Sequence, residues 1–223
     1  MRGVYGFLAL VLMSSSLLGQ NKNMAYGIDF SPTINWISSS IKDVKNDGAR
    51  VGMSYGLSVI SIKNENFGIV SGVRMNHSSY DVKYNQLFDF ETYDSLYSAI
   101  PSGTKVRYKL QQIELPVGFS LRSRQIGYTT ITAETGLNVA YTLGTKVSID
   151  DLGVENETAK NEVTMFNVGY FFGGGIIYSL GGSTAIKTMI VFSNGLTDLT
   201  NDRNHKEDQT HSYRLGLTLG LIF

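Results

Sequence analysis

The 223-residue chain contains no cysteine. Disulfide staples, thiol catalysis, cysteine-based metal sites and the lipidated N-terminus of a lipoprotein are thereby excluded. Neither charge is in excess, with 19 Lys and Arg against 19 Asp and Glu. Such a chain has no electrostatic footprint for a polyanion, so nucleic acid is not expected as a partner. Heptads and tandem repeats are missing, and beyond the N-terminal segment no apolar run is long enough for a transmembrane helix. No Pro-rich, Ser-rich or single-sign stretch divides the chain, which predicts one domain.

What is present is apolar and small. Hydrophobic residues make up 42%, aromatics 11%, and there are 24 glycines. The N-terminal stretch "MRGVYGFLALVLMSSSLLGQ" has one basic residue (Arg2), an apolar run from Val4 to Met13, and small residues leading to Gly19. That order is the pattern of a secretory signal peptide, and the run is about half of the ~20 residues a spanning helix needs. Cleavage is expected between Gly19 and Gln20, with residues 20–223 forming the exported domain.

From Met24 onward the recurring signal is alternation, the mark of strands with two different faces. In "MAYGIDFSPTINW", Met24, Tyr26, Ile28 and Phe30 oppose Gly27, Asp29 and Ser31. "VGMSYGLSV" sets Val51, Met53, Tyr55, Leu57 and Val59 against Gly52, Ser54, Gly56 and Ser58, and "FGIVSGVRMN" repeats the pattern. A fourth strand starts near Lys105. Its apolar phase slips between Leu110 and Ile113, which suggests a β-bulge around Gln111 and Gln112. "ITAETGLNVAYTL", "VGYFFGGGIIYSL", "TAIKTMIVF" and "SYRLGLTLGLIF" complete eight strands, the seventh with apolar residues on both parities.

Connections alternate too. "KNEN", "RSRQ" and "GGS" are short, whereas "SSSIKDVKNDG", "NQLFDFETYDSLYSAIPSGT", "GTKVSIDDLGVENETAKN" and "NDRNHKEDQT" are long and polar. An antiparallel meander with an even strand count then places all short turns at one end, the arrangement of an outer-membrane barrel. A soluble barrel also alternates, but its outer face would carry many Lys and Glu side chains. Here the polar face carries Gly, Ser, Thr and Asn, which suit a narrow lumen, while the bulky face suits lipid. The predicted fold is therefore all-β: an eight-stranded antiparallel up-and-down transmembrane β-barrel in the bacterial outer membrane.

Aromatic placement agrees. Strand direction puts Tyr26, Phe67, Tyr128, Tyr178 and Phe223 near the periplasmic rim and Trp36, Tyr108, Tyr141 and Tyr213 near the outer one, the two-belt pattern of barrels. In a closed barrel the last strand pairs with the first, leaving no unsatisfied edge in hydrocarbon. Tyr213, Leu215, Leu217, Leu219, Leu221 and Phe223 form the lipid-facing side of that last strand. Ending on Phe, they resemble the C-terminal signal read by the β-barrel assembly machinery, which would be a partner during biogenesis.

In order along the chain, "YGIDFSPTINW", "QQIELPVGFSL", "ETGLNVAYTL" and "FSNGLTDLT" resemble the PorT-like outer-membrane β-barrel family of Bacteroidota. The resemblance covers most of residues 24–223. It implies a small monomeric barrel surrounded by outer-membrane lipid. One branch of the family serves type IX secretion, and no motif in this chain marks that branch.

Facing inward, Asp29, Glu114 and Glu134 are expected to meet Arg74, Lys187 and Arg214. In a lumen without bulk water such groups need partners, either as a network that locks the barrel or as a proton or ion path. A catalytic reading has two fragments. "NHSSY" places His77 two residues before Ser79, without the flanking residues of a lipid A deacylase, and "VFSNG" has that flank but Val191 in place of the base. The histidines His77, His205 and His211 lie on separate segments, and "SIDDLGVENE" lacks EF-hand spacing. No metal or other cofactor is expected. The second long loop is unusually apolar, with Leu87, Phe88, Phe90, Tyr93, Leu96 and Tyr97. It is either a contact surface for a protein partner or a lid folded over the mouth. These features describe a non-enzymatic barrel with a scaffold or loop-mediated interaction role. The alternatives are an accessory subunit of a secretion or assembly complex, and a narrow channel.

Overall fold

A computed structural model describes residues 23–40, 42–85, 88–92, 96–159, 162–200 and 210–223. The expected signal peptide lies outside these residues, as do Leu87, Tyr93 and His205. The elements in chain order are β1 (Met24–Ser39), β2 (Val44–Asn46), β3 (Arg50–Asn64), β4 (Phe67–Tyr84), β5 (Phe88–Glu91), β6 (Leu96–Ile100), β7 (Lys105–Arg122), β8 (Thr129–Ile149), β9 (Val154–Thr158), β10 (Phe166–Gly181), β11 (Thr184–Gly195) and β12 (Thr210–Ile222). Among the described residues, eight long antiparallel strands close in the order β1-β3-β4-β7-β8-β10-β11-β12 and back to β1. The eight-stranded barrel read from the sequence is what forms. β2 and β9 extend its outer end, and β5 pairs with β6 in a separate hairpin.

Closure is complete to the last residue. β12 pairs with β1 from Gly27↔Ile222 to Ser39↔Thr210, and Tyr26 and Phe223 exchange backbone hydrogen bonds at 3.0 and 2.9 Å. Apart from Ser31 and Pro32, β1 is paired with β12 along the whole of this seam, and strand pairing is what satisfies backbone N–H and C=O groups in hydrocarbon. Along β12 the even positions Gly216, Thr218, Gly220 and Ile222 are buried, while Leu215, Leu217, Leu219, Leu221 and Phe223 are exposed on the outer wall. The same division runs through β1 and β3, as the alternation predicts.

The bulge lies at the level the sequence suggests, but its extra residue is on the neighbouring strand. The register does shift opposite Gln111 and Gln112, but Gln111 pairs with Gly144 and Gln112 with Thr142, so the extra residue is Leu143 of β8. β7 itself keeps one phase, its even positions facing inward from Val106 to Ser120. What changes is the polarity of the surroundings. Below this level the wall faces lipid and the apolar residues Ile113, Leu115, Val117 and Phe119 point outward. Above it the wall faces water, and Val106, Tyr108 and Leu110 turn inward while Lys105, Arg107 and Lys109 do not. β4 inverts at the same height, with Tyr80, Val82 and Tyr84 buried. This inversion marks the outer membrane surface.

Two aromatic belts border the lipid-facing band. At the periplasmic end Phe67 packs on Phe119 at 5.6 Å and Tyr128 on Tyr178 at 6.1 Å. At the outer end Trp36 stacks on Tyr213 at 5.8 Å, with Phe192 beside both, and Tyr141 meets Phe166 at 5.0 Å. Tyr108 does not belong to the outer belt. It is buried in the mouth, its hydroxyl 2.9 Å from that of Tyr84, because it lies above the inversion, where apolar side chains fill the interior. Leu217 is near the middle of the lipid-facing stretch of β12. Leu217→Arg should therefore destabilise the barrel by about 2–4 kcal/mol in urea titrations with lipid vesicles, whereas Leu217→Phe should leave the midpoint nearly unchanged.

Candidate functional site

The lumen is built in layers. At the outer end Ile37, Tyr84, Phe90, Val106, Tyr108 and Val147 belong to one buried apolar cluster that fills the mouth. Toward the periplasm Ile60, Val70 and Phe171 form a smaller one. Between them lie the charged groups, each placed by the two-residue period of its strand.

Lys187 on β11 points inward and is fully buried, which resolves the facing of the seventh strand. Its Nζ stands 3.3 Å from Asp29 Oδ1 and 3.7 Å from Glu134 Oε1. Gly220 of β12 sits between Asp29 and Lys187 in the register, and a Cβ there would fall on Asp29 Oδ1, so the glycine provides the room for this pair. A second layer joins Arg214 to Glu114 at 2.7 Å. Glu114 also accepts a hydrogen bond from Asn76 Nδ2 at 3.1 Å. Arg74 is the register partner of Glu114 on β4, but the close contact of Glu114 is to Arg214. The six inward charges expected from the sequence thus divide into two groups, Asp29–Lys187–Glu134 and Glu114–Arg214, with Arg74 beside the second.

The sequence reading missed Arg122, which continues the inward parity of β7 toward the periplasmic end. Its place at the start of "RSRQ" gives it the appearance of a turn residue; counting parity on from Glu114 would have found it. A cavity of about 30 Å³ beside Arg214, Glu114, Tyr80, Asn138 and Asn167 has room for about one water molecule. Buried ion pairs between apolar plugs serve to fill and register a barrel.

The second loop folds toward the mouth. Phe90, placed by the sequence reading in a contact surface or lid, is fully buried and its ring lies 6.2 Å from that of Tyr108. Tyr97 packs against the same cluster and donates a hydrogen bond to Glu157 Oε1 at 3.3 Å. Phe90 thus packs into the apolar cluster of the mouth, while Phe88 and Leu96 contribute backbone to the β5–β6 hairpin. His77 and Ser79 both lie on the outer wall of β4. His77 stacks on Tyr55 at 5.8 Å, and its Nε2 is 3.4 Å from the tyrosine hydroxyl.

Above the lipid-facing band a further ionic cluster surrounds Asp81 of β4. Arg50 binds its Oδ2 through Nε at 2.8 Å and Nη2 at 2.5 Å, Arg107 Nε reaches Oδ1 at 3.0 Å, and Lys105 lies 3.2 Å away while also pairing with Asp47 at 2.6 Å. Burial pushes the Asp81 carboxyl up, but the hydrogen bonds from Arg50, Arg107 and Lys105 outweigh it and hold it below the ordinary carboxylate range.

The sequence profile of the "outer membrane protein beta-barrel domain" matches residues 16–201. No curated protein sequence matches the chain. Solved structures to which it is similar include the outer membrane protein OprG of Pseudomonas aeruginosa, at 14% identity and a TM-score of 0.48, covering 91% of this chain and 97% of that one. Neisserial surface protein A shares 14% identity at a TM-score of 0.46, with 89% and 96% covered. The attachment invasion locus protein Ail of Yersinia pestis shares 12% at 0.44, with 90% and 97% covered.

Lys187→Met leaves Asp29 and Glu134 buried without their cation and is expected to cost about 3–5 kcal/mol in urea unfolding. The triple change Asp29→Asn, Glu134→Gln, Lys187→Met should recover most of that loss. For Asp81, whose folded pKa is depressed, the stabilisation is full above the ordinary carboxylate range and is lost as pH falls through the folded value. Asp81→Asn should thus lower the unfolding midpoint at neutral pH, and the gap to wild type should close in acid.

Proposed function

The chain belongs to the outer membrane protein beta-barrel domain family, and from that premise we propose that it is a non-enzymatic barrel of the outer membrane that serves as a scaffold or as a loop-mediated interaction protein. The observation that carries this reading is the filled lumen: apolar clusters at both ends, paired charges between them, and room for about one water at the Arg214–Glu114 layer. A barrel filled in this way offers function on its outer surfaces. The exposed apolar side chains Leu152, Met165 and Leu196 border the outer loops and supply candidate contact points there. In this reading residues 1–19 are removed on export, residues 20–223 form a monomeric barrel, and the C-terminal residues Tyr213 to Phe223 are its address for barrel assembly.

A second reading, an accessory subunit of a secretion or assembly complex, is favoured by the ordered stretches that resemble the PorT-like family, "YGIDFSPTINW" and "QQIELPVGFSL" among them. Both readings put the partner on the outer loops or rims. An enzymatic role would need a base and nucleophile acting together, and His77 instead engages Tyr55.

The test pairs two measurements on wild-type protein. Reconstituted in planar bilayers it should give no stepwise conductance, and lysine-reactive crosslinking of intact cells should join it to another envelope protein. Conductance that falls in Glu134→Gln would establish a channel instead. Lipid A altered by wild type and not by His77→Ala would establish an enzyme.

A further inference from the structure

At the height where β4 and β7 invert their polarity, a groove of about 430 Å³ opens on the outer wall. Val51, Met53, His77, Lys109, Gly144 and Lys146 line it. Its depth comes from small residues and from the bulge. Gly144 follows the extra residue Leu143, and a Cβ built on it meets no atom within 4 Å. The lower part of the groove is apolar and turned toward lipid, with Val51 79% exposed. Its upper part is cationic.

The two lysines stand directly opposite one another in the β7–β8 register. Like charges at facing positions of neighbouring strands destabilise a sheet. The other facing lysines on this wall, Lys83 and Lys105, are relieved because Lys105 binds Asp47 and Asp81. Lys109 instead donates to the neutral amide oxygen of Asn156 at 2.7 Å, and among the described residues no carboxylate lies within ion-pair distance of Lys109 or Lys146. Asp81, on the same wall, is already committed to Arg50, Arg107 and Lys105. An uncompensated cation pair therefore sits above an apolar floor at the membrane surface. An anion held between the ammonium groups would remove the repulsion, and acyl chains below it would cover the floor.

We propose that this groove binds one phosphate-bearing lipid of the outer leaflet, its phosphate between Lys109 and Lys146 and its acyl chains against Val51 and Met53. The phosphate supplies the charge that the sheet lacks at this point. The apolar floor selects a lipid over a free anion, and Gly144 keeps the cleft open.

Native mass spectrometry of the folded chain in detergent, titrated with bisphosphorylated lipid A and with its dephosphorylated form, tests the site. Wild type should retain one phosphorylated molecule and bind the dephosphorylated form at least about tenfold more weakly. Lys109→Gln with Lys146→Gln should lose a similar factor. Gly144→Phe, which fills the cleft and retains both lysines, should also weaken binding while keeping the heat-modifiable gel mobility of a folded barrel. Millimolar inorganic phosphate should leave the lipid in place. Equal affinity for the two lipids, undiminished binding in either folded variant, or displacement by inorganic phosphate would overturn the assignment.

Discussion

Hydrocarbon has no hydrogen bonds to offer, so a strand can cross a membrane only if both its edges are paired. In this chain that demand is met at the β1–β12 seam, where the register runs to Gly27↔Ile222 and Tyr26 closes on Phe223. The rest follows from closure. Eight strands enclose a lumen too narrow for bulk water. The inward positions must then be small, as Gly56, Gly118 and Gly136 are, or must bring their own partners, as Lys187 and Arg214 do.

Closure also explains why the ionic groups stand in two layers. A lone buried charge would cost several kcal/mol, so each carboxylate draws a cation from a different strand. Asp29 and Lys187 meet across Gly220, while Glu114 on β7 meets Arg214 on β12. Such cross-lumen pairs fix the strands against slipping, because a shift of one residue would carry the charges to the lipid face. The same logic reverses above the membrane. There water surrounds the wall, the interior becomes an ordinary apolar core, and charges such as Lys105, Arg107 and the Asp81 cluster lie outside.

The strand period, barrel closure and the inward facing of Asp29, Arg74, Glu114, Glu134 and Arg214 were legible in the sequence, because lipid on one side and a cramped axis on the other leave a two-residue signature. The polarity inversion was harder to see. In β7 it imitates a phase slip, since Leu110 and Ile113 are both apolar yet face opposite solvents. The same effect misplaced Tyr108. Arg122 was hidden by its neighbours in the turn, and the burial of Phe90 depends on a hairpin folding back, which no local pattern encodes. The groove between Lys109 and Lys146 was likewise invisible, because their juxtaposition depends on the bulge at Leu143.

The orientation of the two faces is the central claim. Its most direct test is nuclear Overhauser spectroscopy on methyl-labelled protein in lipid nanodiscs. Leu215, Leu217, Leu219 and Leu221 should show cross-peaks to acyl-chain methylenes, while Ile60, Val70 and Met189, buried inside the wall, should show none. Acyl-chain contacts to Ile60, Val70 and Met189, with none to the leucines, would contradict the account.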